Sequence, residues 1–266
     1  MDTVRSADGT TIAFTRAGQG PPLILVDGAL CSRQFGPMPR LAEQLAPDFT
    51  VYTYDRRGRG ESGDTAPYSP DREVDDLEAL VAQAGDAVYV HGTSSGAALA
   101  LEAAKRIPAI VKLSAYEPPF IIDDTRTPLP DDYLPRLTSL VSAGRKGDAV
   151  KMFMSFVGTP AIFTSVMPLT PVWGKLKAAA PTLVYDITIL ADHQRGTPFT
   201  AGAWADVKAP TLVAVGGKSP AWMANGTRAL ADALPDSTYR TLTGQNHMVK
   251  AQAIAPVLTS FFNTRA

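Results

Sequence analysis

The chain has 266 residues, 45% of them hydrophobic and 19% charged, with a formal net charge of −1. That composition suits a protein that buries a large core, and the near-neutral charge offers no basic field for nucleic acid or an anionic membrane. The single cysteine, Cys31, excludes an internal disulfide and suits a reducing compartment.

Thr3–Ser6 and Thr11–Arg16 flank Asp8-Gly9 and read as a β-hairpin. No signal-like apolar run lies in residues 1–20, and no stretch anywhere approaches the roughly 20 apolar residues of a membrane helix. A cytoplasmic protein without membrane or nucleic-acid partners is expected. Leu23–Val26 is a continuous apolar run, hence a central strand, and it ends at Asp27-Gly28-Ala29 before a helix over Pro37–Leu45. Phe49–Tyr54 is the next strand, followed by the charged turn Asp55-Arg56-Arg57-Gly58-Arg59-Gly60-Glu61-Ser62. That turn is expected to be structural, its arginines paired with nearby acids. Ser69-Pro70-Asp71 opens a helix, with serine at the N-cap and proline in the first turn. Val74, Leu77, Leu80 and Val81 give this helix an apolar stripe.

Ala87–Val90 reads as a buried strand and Ser95–Arg106 as an Ala-rich helix. Between them, Gly92-Thr93-Ser94-Ser95-Gly96 fits G-x-S-x-G, a sharp corner that leaves the Ser94 hydroxyl exposed at the start of a helix. Ile110–Tyr116 is a sixth strand. Residues 118 to about 203 are proline-rich and show helical patterns (Asp132–Ala143, Asp148–Val157, Pro181–Ala191) but no strand. Strands return at Thr211–Val215 and Ser237–Leu242, each followed by a helix (Ala221–Leu234, Gln252–Phe262). Strands alternating with helices predict an α/β fold: a mostly parallel, doubly wound, eight-stranded sheet. The core is then residues 1–117 and 204–266, and residues 118–203 form a helical cap inserted after strand six, over the carboxyl edge where ligands bind. Met152, Phe153, Met154, Phe156, Phe163, Met167 and Trp173 either roof a pocket there or form the cap's own core.

A serine nucleophile needs a base, and only His91, His193 and His247 are available. His91 sits too close along the backbone to serve Ser94 and reads as a buried, hydrogen-bonded residue. His193 falls in the insertion and reads as a surface or cap residue. His247, in Gly244-Gln245-Asn246-His247, lies in a loop after the last strand. Three scattered histidines and one cysteine offer no metal-ligand spacing. No G-x-G-x-x-G or P-loop lysine follows a strand, so no cofactor and no metal are expected.

With these motifs in this order, the chain resembles the α/β-hydrolase family over nearly its whole length. The paired serines of the elbow and the Asp27-Gly28 after strand three resemble the branch that includes a fungal zearalenone lactonase. Tyr116-Glu117-Pro118-Pro119-Phe120 resembles a group of bacterial hydrolases carrying the same string. The resemblance implies Ser94 as nucleophile and His247 as base. Many members carry the acid after strand seven, but Gly216-Gly217-Lys218-Ser219-Pro220-Ala221 has no carboxylate. The lactonase branch places a glutamate after strand six, which implies Glu117 here, with Asp27 as the alternative acid. For the oxyanion hole, the helix start offers the Ser95 amide, and the resemblance assigns the second donor to Gly28, with Ala29 as a substitute. Asp27 is expected to turn outward into a hydrogen-bond network.

The leading expectation is a cofactor-independent serine esterase or lactonase acting on a small, fairly hydrophobic molecule. A non-hydrolytic elimination or cyclisation enzyme using the His247–Glu117 pair is the alternative. A catalytically silent ligand-binding protein ranks third.

Overall fold

The computed structural model describes residues 1–264. Its strands are β1 (Asp2–Arg5), β2 (Thr11–Ala17), β3 (Pro22–Val26), β4 (Thr50–Tyr54), β5 (Val88–Thr93), β6 (Ile110–Tyr116), β7 (Thr211–Gly216) and β8 (Ser237–Leu242). They form one eight-stranded sheet in the order β1-β2-β4-β3-β5-β6-β7-β8. The β1–β2 and β2–β4 pairs are antiparallel, and every pair from β4–β3 to β7–β8 is parallel.

The period of two along each strand sends side chains to opposite faces. Leu23 and Leu25 join one apolar cluster with α1 (Met38–Leu45) and α10 (Ala251–Asn263). Ile24 and Val26 join the other, with α2 (Pro70–Ala84), α3 (Ser95–Arg106) and α9 (Ala221–Ala233). Helices on both faces leave the carboxyl ends of the parallel strands, with the loops that follow them, as the edge of the sheet where side chains from several strands can meet. The predicted stripe on α2 is buried as expected. Ser69 does stand at its N-cap in an extended conformation, but its side chain makes no capping hydrogen bond.

Between β6 and β7 the chain forms α4 (Tyr133–Ser142), α5 (Lys146–Phe156), α6 (Ala161–Val166), α7 (Trp173–Ala179) and α8 (Leu183–Leu190). The short α6 and α7 were not expected from the sequence: prolines interrupt this region and neither helix is long enough to show a periodic stripe. Met152, Phe153, Met154, Phe156, Met167 and Trp173 pack, partly buried, around the insertion's own apolar cluster. Phe163, grouped with them from the sequence, is instead 59% exposed.

The Asp55–Ser62 turn carries three buried guanidiniums, and each meets carboxylates. Arg57 grips Asp76 through two bonds of 2.8 and 2.7 Å and reaches Asp8 at 3.0 Å. Arg56 grips Glu73 in the same two-pronged way, at 2.7 and 2.8 Å. Bidentate pairing fixes the guanidinium plane as well as its charge. Arg56 and Arg59 also reach up to the insertion, where both meet Asp186 of α8 at 2.7 Å. The rings of Tyr68 and Tyr185 stack beside this contact at 3.7 Å.

Candidate active site

The turn from β5 into α3 is tight enough to demand both of its glycines. A Cβ at Gly92 would lie 2.5 Å from the Gly96 carbonyl oxygen, and one at Gly96 would lie 2.4 Å from the Val26 carbonyl oxygen. Neither neighbour is a flexible side chain, so only hydrogen fits. Between them Ser94 takes φ 58° and ψ −128°, a conformation disfavoured for any residue with a Cβ. The strain is held by its amide, which donates to the Tyr116 carbonyl at 2.9 Å, and by the first turn of α3.

One strand over, Glu117 follows β6 and is likewise held at positive φ, 46°. Its amide donates to Ala214 of β7 at 3.0 Å, and its side chain is fully buried. Glu117 Oε1 accepts the Gly216 N–H at 2.6 Å and the Ser219 hydroxyl. The other oxygen, Oε2, accepts the N–H of His247 Nδ1 at 2.8 Å. The loop after β7 therefore lacks a carboxylate yet supplies two donors that hold one. That role for Gly216 and Ser219 was not read from the sequence. The His247 loop is pinned from below by Tyr116, whose hydroxyl donates to the Asn246 carbonyl at 2.6 Å. With Nδ1–H committed to Glu117, the other ring nitrogen, Nε2, is left as the acceptor.

Among the described residues no hydrogen bond joins Ser94 Oγ to His247. Both nevertheless project from the carboxyl edge of the sheet, and such bonds are commonly long before a substrate is bound. Gly28 lies directly against the elbow: a Cβ there would be 3.1 Å from Ser94 Cβ and 3.6 Å from Ser94 Oγ. Ser95 opens α3, so its N–H has no acceptor within the helix.

Asp27 is not turned outward. It is 4% exposed, and its Oδ1 accepts the Gly28 N–H at 3.2 Å. Burial pushes its carboxyl up to about 7, against the lowering pull of Arg59, the Cys31 thiol, the Gly28 amide and Arg56. Asp27 makes no hydrogen bond to His247 among the described residues. His91 is fully buried and pairs with Ser114 Oγ at 3.1 Å and Thr93 Oγ1 at 3.3 Å; burial pushes it down to about 3. His193 packs among Phe120, Phe199 and Trp204 at the root of the insertion. No group of three or more His, Cys, Asp or Glu among the described residues is arranged to hold a metal ion. No helix among them is long and apolar enough to cross a membrane.

A strained serine at a strand-to-helix corner and a histidine held on a carboxylate, both at the carboxyl edge of a parallel sheet, are features of one large class of proteins. Residues 20–255 match the Alpha/beta hydrolase family, and the chain belongs to it. An alpha/beta hydrolase from Sphaerobacter thermophilus DSM 20745 is 47% identical, with a TM-score of 0.90 over 98% of this chain and 100% of that one. The enol-lactonase from Burkholderia xenovorans LB400 shares the fold at 19% identity, with a TM-score of 0.69 over 99% of this chain and 100% of that one. The uncharacterized hydrolase YraK of Bacillus subtilis (strain 168) is 31% identical over 118 residues. That match spans 43% of this chain and 43% of YraK, so the chain covers less than half the length of this relative.

Proposed function

We propose that the protein is a serine hydrolase that cleaves an ester or lactone of a small, fairly hydrophobic molecule, without a cofactor. The observation that carries this reading is the 2.8 Å bond from His247 to a buried, fully hydrogen-bonded Glu117, at the sheet edge where Ser94 stands strained and half-buried. Ser94 Oγ attacks the substrate carbonyl carbon while its proton passes to His247 Nε2. Glu117 fixes the tautomer and stabilises the imidazolium that forms. The carbonyl oxygen, now negative, rests on the N–H groups of Gly28 and Ser95 at the positive end of α3, with the Gly28 N–H exchanging its 3.2 Å bond to Asp27 Oδ1 for the oxyanion.

Collapse of this intermediate expels the alcohol, which takes the proton from His247 and leaves an acyl group on Ser94. A water, deprotonated by His247, then attacks the acyl carbon and releases the acid and free Ser94. A lactone follows the same route, with the alcohol still tethered to the acyl group. An apolar insertion and a formal net charge of −1, which offers no strong field for a charged ligand, favour an uncharged substrate.

The test is turnover of p-nitrophenyl esters together with fluorophosphonate labelling. Wild type is expected to label on Ser94, and Ser94→Ala to lose both labelling and turnover. Full turnover by Ser94→Ala would overturn the reading. Failure of the folded wild type to label would favour the non-hydrolytic use of the same His247–Glu117 pair.

A further inference from the structure

Asp186 is the one charged residue in α8, whose sequence is Leu-Val-Tyr-Asp-Ile-Thr-Ile-Leu, and it is completely buried. Its Oδ1 accepts Arg56 Nη1 and the Ser95 hydroxyl, each at 2.7 Å, and its Oδ2 accepts Arg59 Nη2 at 2.7 Å. Burial alone would raise its carboxyl. Arg59, Arg56 and the Ser95 hydroxyl outweigh that and hold it below the usual carboxylate range, so it stays ionised.

What the two arginines do with their remaining donors is unusual for a simple ion pair. Arg56 Nη1 also donates to the Asp27 carbonyl at 3.3 Å. A peptide group is planar and trans, so holding the Asp27 C=O aims the N–H of Gly28 the opposite way. Arg59 Nη1 donates to the Gly28 carbonyl at 2.7 Å, which by the same geometry orients the Ala29 N–H. Arg59 Nε is steadied in turn by Thr182 Oγ1 at 2.9 Å. A bolt between insertion and core would require neither these two carbonyls nor the Ser95 hydroxyl. Here one carboxylate reaches the segments that carry both proposed oxyanion donors: residues 27–28 through the arginines, and Ser95 directly.

We propose that Asp186, supplied by the inserted helix, is a positioning residue for the oxyanion hole. It acts through Arg56 on the Asp27–Gly28 peptide, through Arg59 on the adjoining Gly28–Ala29 peptide, and through the hydroxyl of Ser95 on the start of α3. This rests on the reading of Ser94 as nucleophile. It makes the seating of the insertion part of the catalytic geometry: a displaced α8 would misaim both amides at once.

The test compares wild type, Asp186→Asn, Ser95→Ala and Asp76→Asn as full-length proteins. Each is assayed for kcat and KM on a p-nitrophenyl ester, for Ki of a trifluoromethyl ketone and for thermal midpoint. The ketone forms a hemiketal oxyanion with a serine nucleophile and so reports the oxyanion donors directly. Asp76→Asn disturbs the neighbouring buried pair with Arg57, which touches neither donor segment, and serves as the matched control.

Asp186→Asn is expected to lower kcat by roughly 30- to 100-fold and to raise Ki in parallel, with KM within about 2-fold, the scale set by a misplaced or lost oxyanion donor. Ser95→Ala, which keeps the amide, is expected to move kcat and Ki about 5-fold in the same directions. Asp76→Asn is expected to lower the midpoint while kcat and Ki stay within about 2-fold of wild type. Wild-type kcat and Ki in both Asp186→Asn and Ser95→Ala, with lowered midpoints, would reduce Asp186 to a structural bolt. Should Asp186→Asn fail to fold, unchanged kcat and Ki in Ser95→Ala overturn the proposal alone. Full turnover by Ser94→Ala would overturn the hydrolase reading and this proposal together. A labelled Ser94 with unaffected Asp186 and Ser95 variants overturns only this one.

Discussion

Glu117 Oε2 and His247 Nδ1 meet at 2.8 Å across the end of β7, the strand that separates theirs in the sheet. The carboxylate comes from the end of β6, while the loop after β7, Gly216–Ala221, has none of its own. That loop instead supports the carboxylate, through the Gly216 amide and the Ser219 hydroxyl.

Replacing the carboxylate should therefore be far more damaging than weakening its support. In Glu117→Gln an amide N–H can face Nδ1 and select the wrong tautomer, so kcat is expected to fall by about 10⁴ with the fold intact. Ser219→Ala leaves Glu117 its bond from Gly216 and is expected to cost kcat less than about 10-fold. Steady-state kinetics on one activated ester checks both, and equal losses would place the two residues on the same footing.

Tyr116 sits beside Glu117 in the chain and ties down the other partner through the Asn246 carbonyl. Tyr116→Phe leaves that carbonyl without its donor. A destabilisation of about 1–2 kcal/mol in urea unfolding is expected. A fall in kcat with little change in KM should accompany it, because the imidazole, not the substrate site, is loosened.

Gly96 lies where α3 crosses the end of β3, and an added methyl would overlap two backbone carbonyl oxygens, of Val26 and Asp27. Gly96→Ala is expected to cost more than about 3 kcal/mol, or to prevent folding, because no side chain can rotate away. An unchanged urea midpoint would mean that α3 can slide off β3.

Two buried groups should shape the pH dependence of stability with opposite signs. Asp27 keeps its proton up to about 7 in the folded state but loses it near 3.8 when unfolded, so stability falls as pH rises between those values. His91 is neutral in the fold down to about 3 but takes up a proton below 6.5 when unfolded, so stability is lost as pH falls through that range. Each slope is about 1.4 kcal/mol per pH unit. From about pH 4 to 6.5 they cancel, and the two groups together leave wild-type stability nearly level. Asp27→Asn should expose the His91 slope, with stability rising toward neutral pH. His91→Gln should expose the Asp27 slope, with stability falling. Denaturant unfolding at three pH values decides the matter, and parallel profiles for both variants would contradict it.

Ser94 was legible because its whole environment is local: strand, glycine corner and Ala-rich helix are contiguous in the chain. The central strands were legible for a similar reason, since β3, β5 and β7 are short apolar runs bounded by breakers, whereas β1 and β8 are polar and were read from β-branched residues and neighbouring turns. Glu117 emerged from resemblance and from the missing carboxylate after β7, not from any pattern of its own. Asp186 was not found, because its partners lie 127 and 130 residues away in Arg59 and Arg56. The signal was present nonetheless: a lone acid in an otherwise uncharged, strongly apolar helix must be paired when buried. Asp27 was misplaced for the opposite reason. A carboxylate beside a developing oxyanion is expected to turn away from it, whereas burial here favours the protonated, uncharged form.

The buried charges beneath the insertion also limit how such proteins can be recombined. Arg56 and Arg59 are balanced by Glu73 of the core and Asp186 of the insertion. A chimera that exchanged the insertion for one without an acid at the position of Asp186 would enclose two guanidiniums with a single carboxylate. Stranding a buried charge in this way costs about 3–5 kcal/mol, a large share of a domain's stability. Substrate-shaping helices can thus be transplanted onto this core only with their acid, or with a rewritten Asp55–Ser62 turn. Segments nearly 130 residues apart in the chain therefore share one buried charge balance and have to be exchanged together.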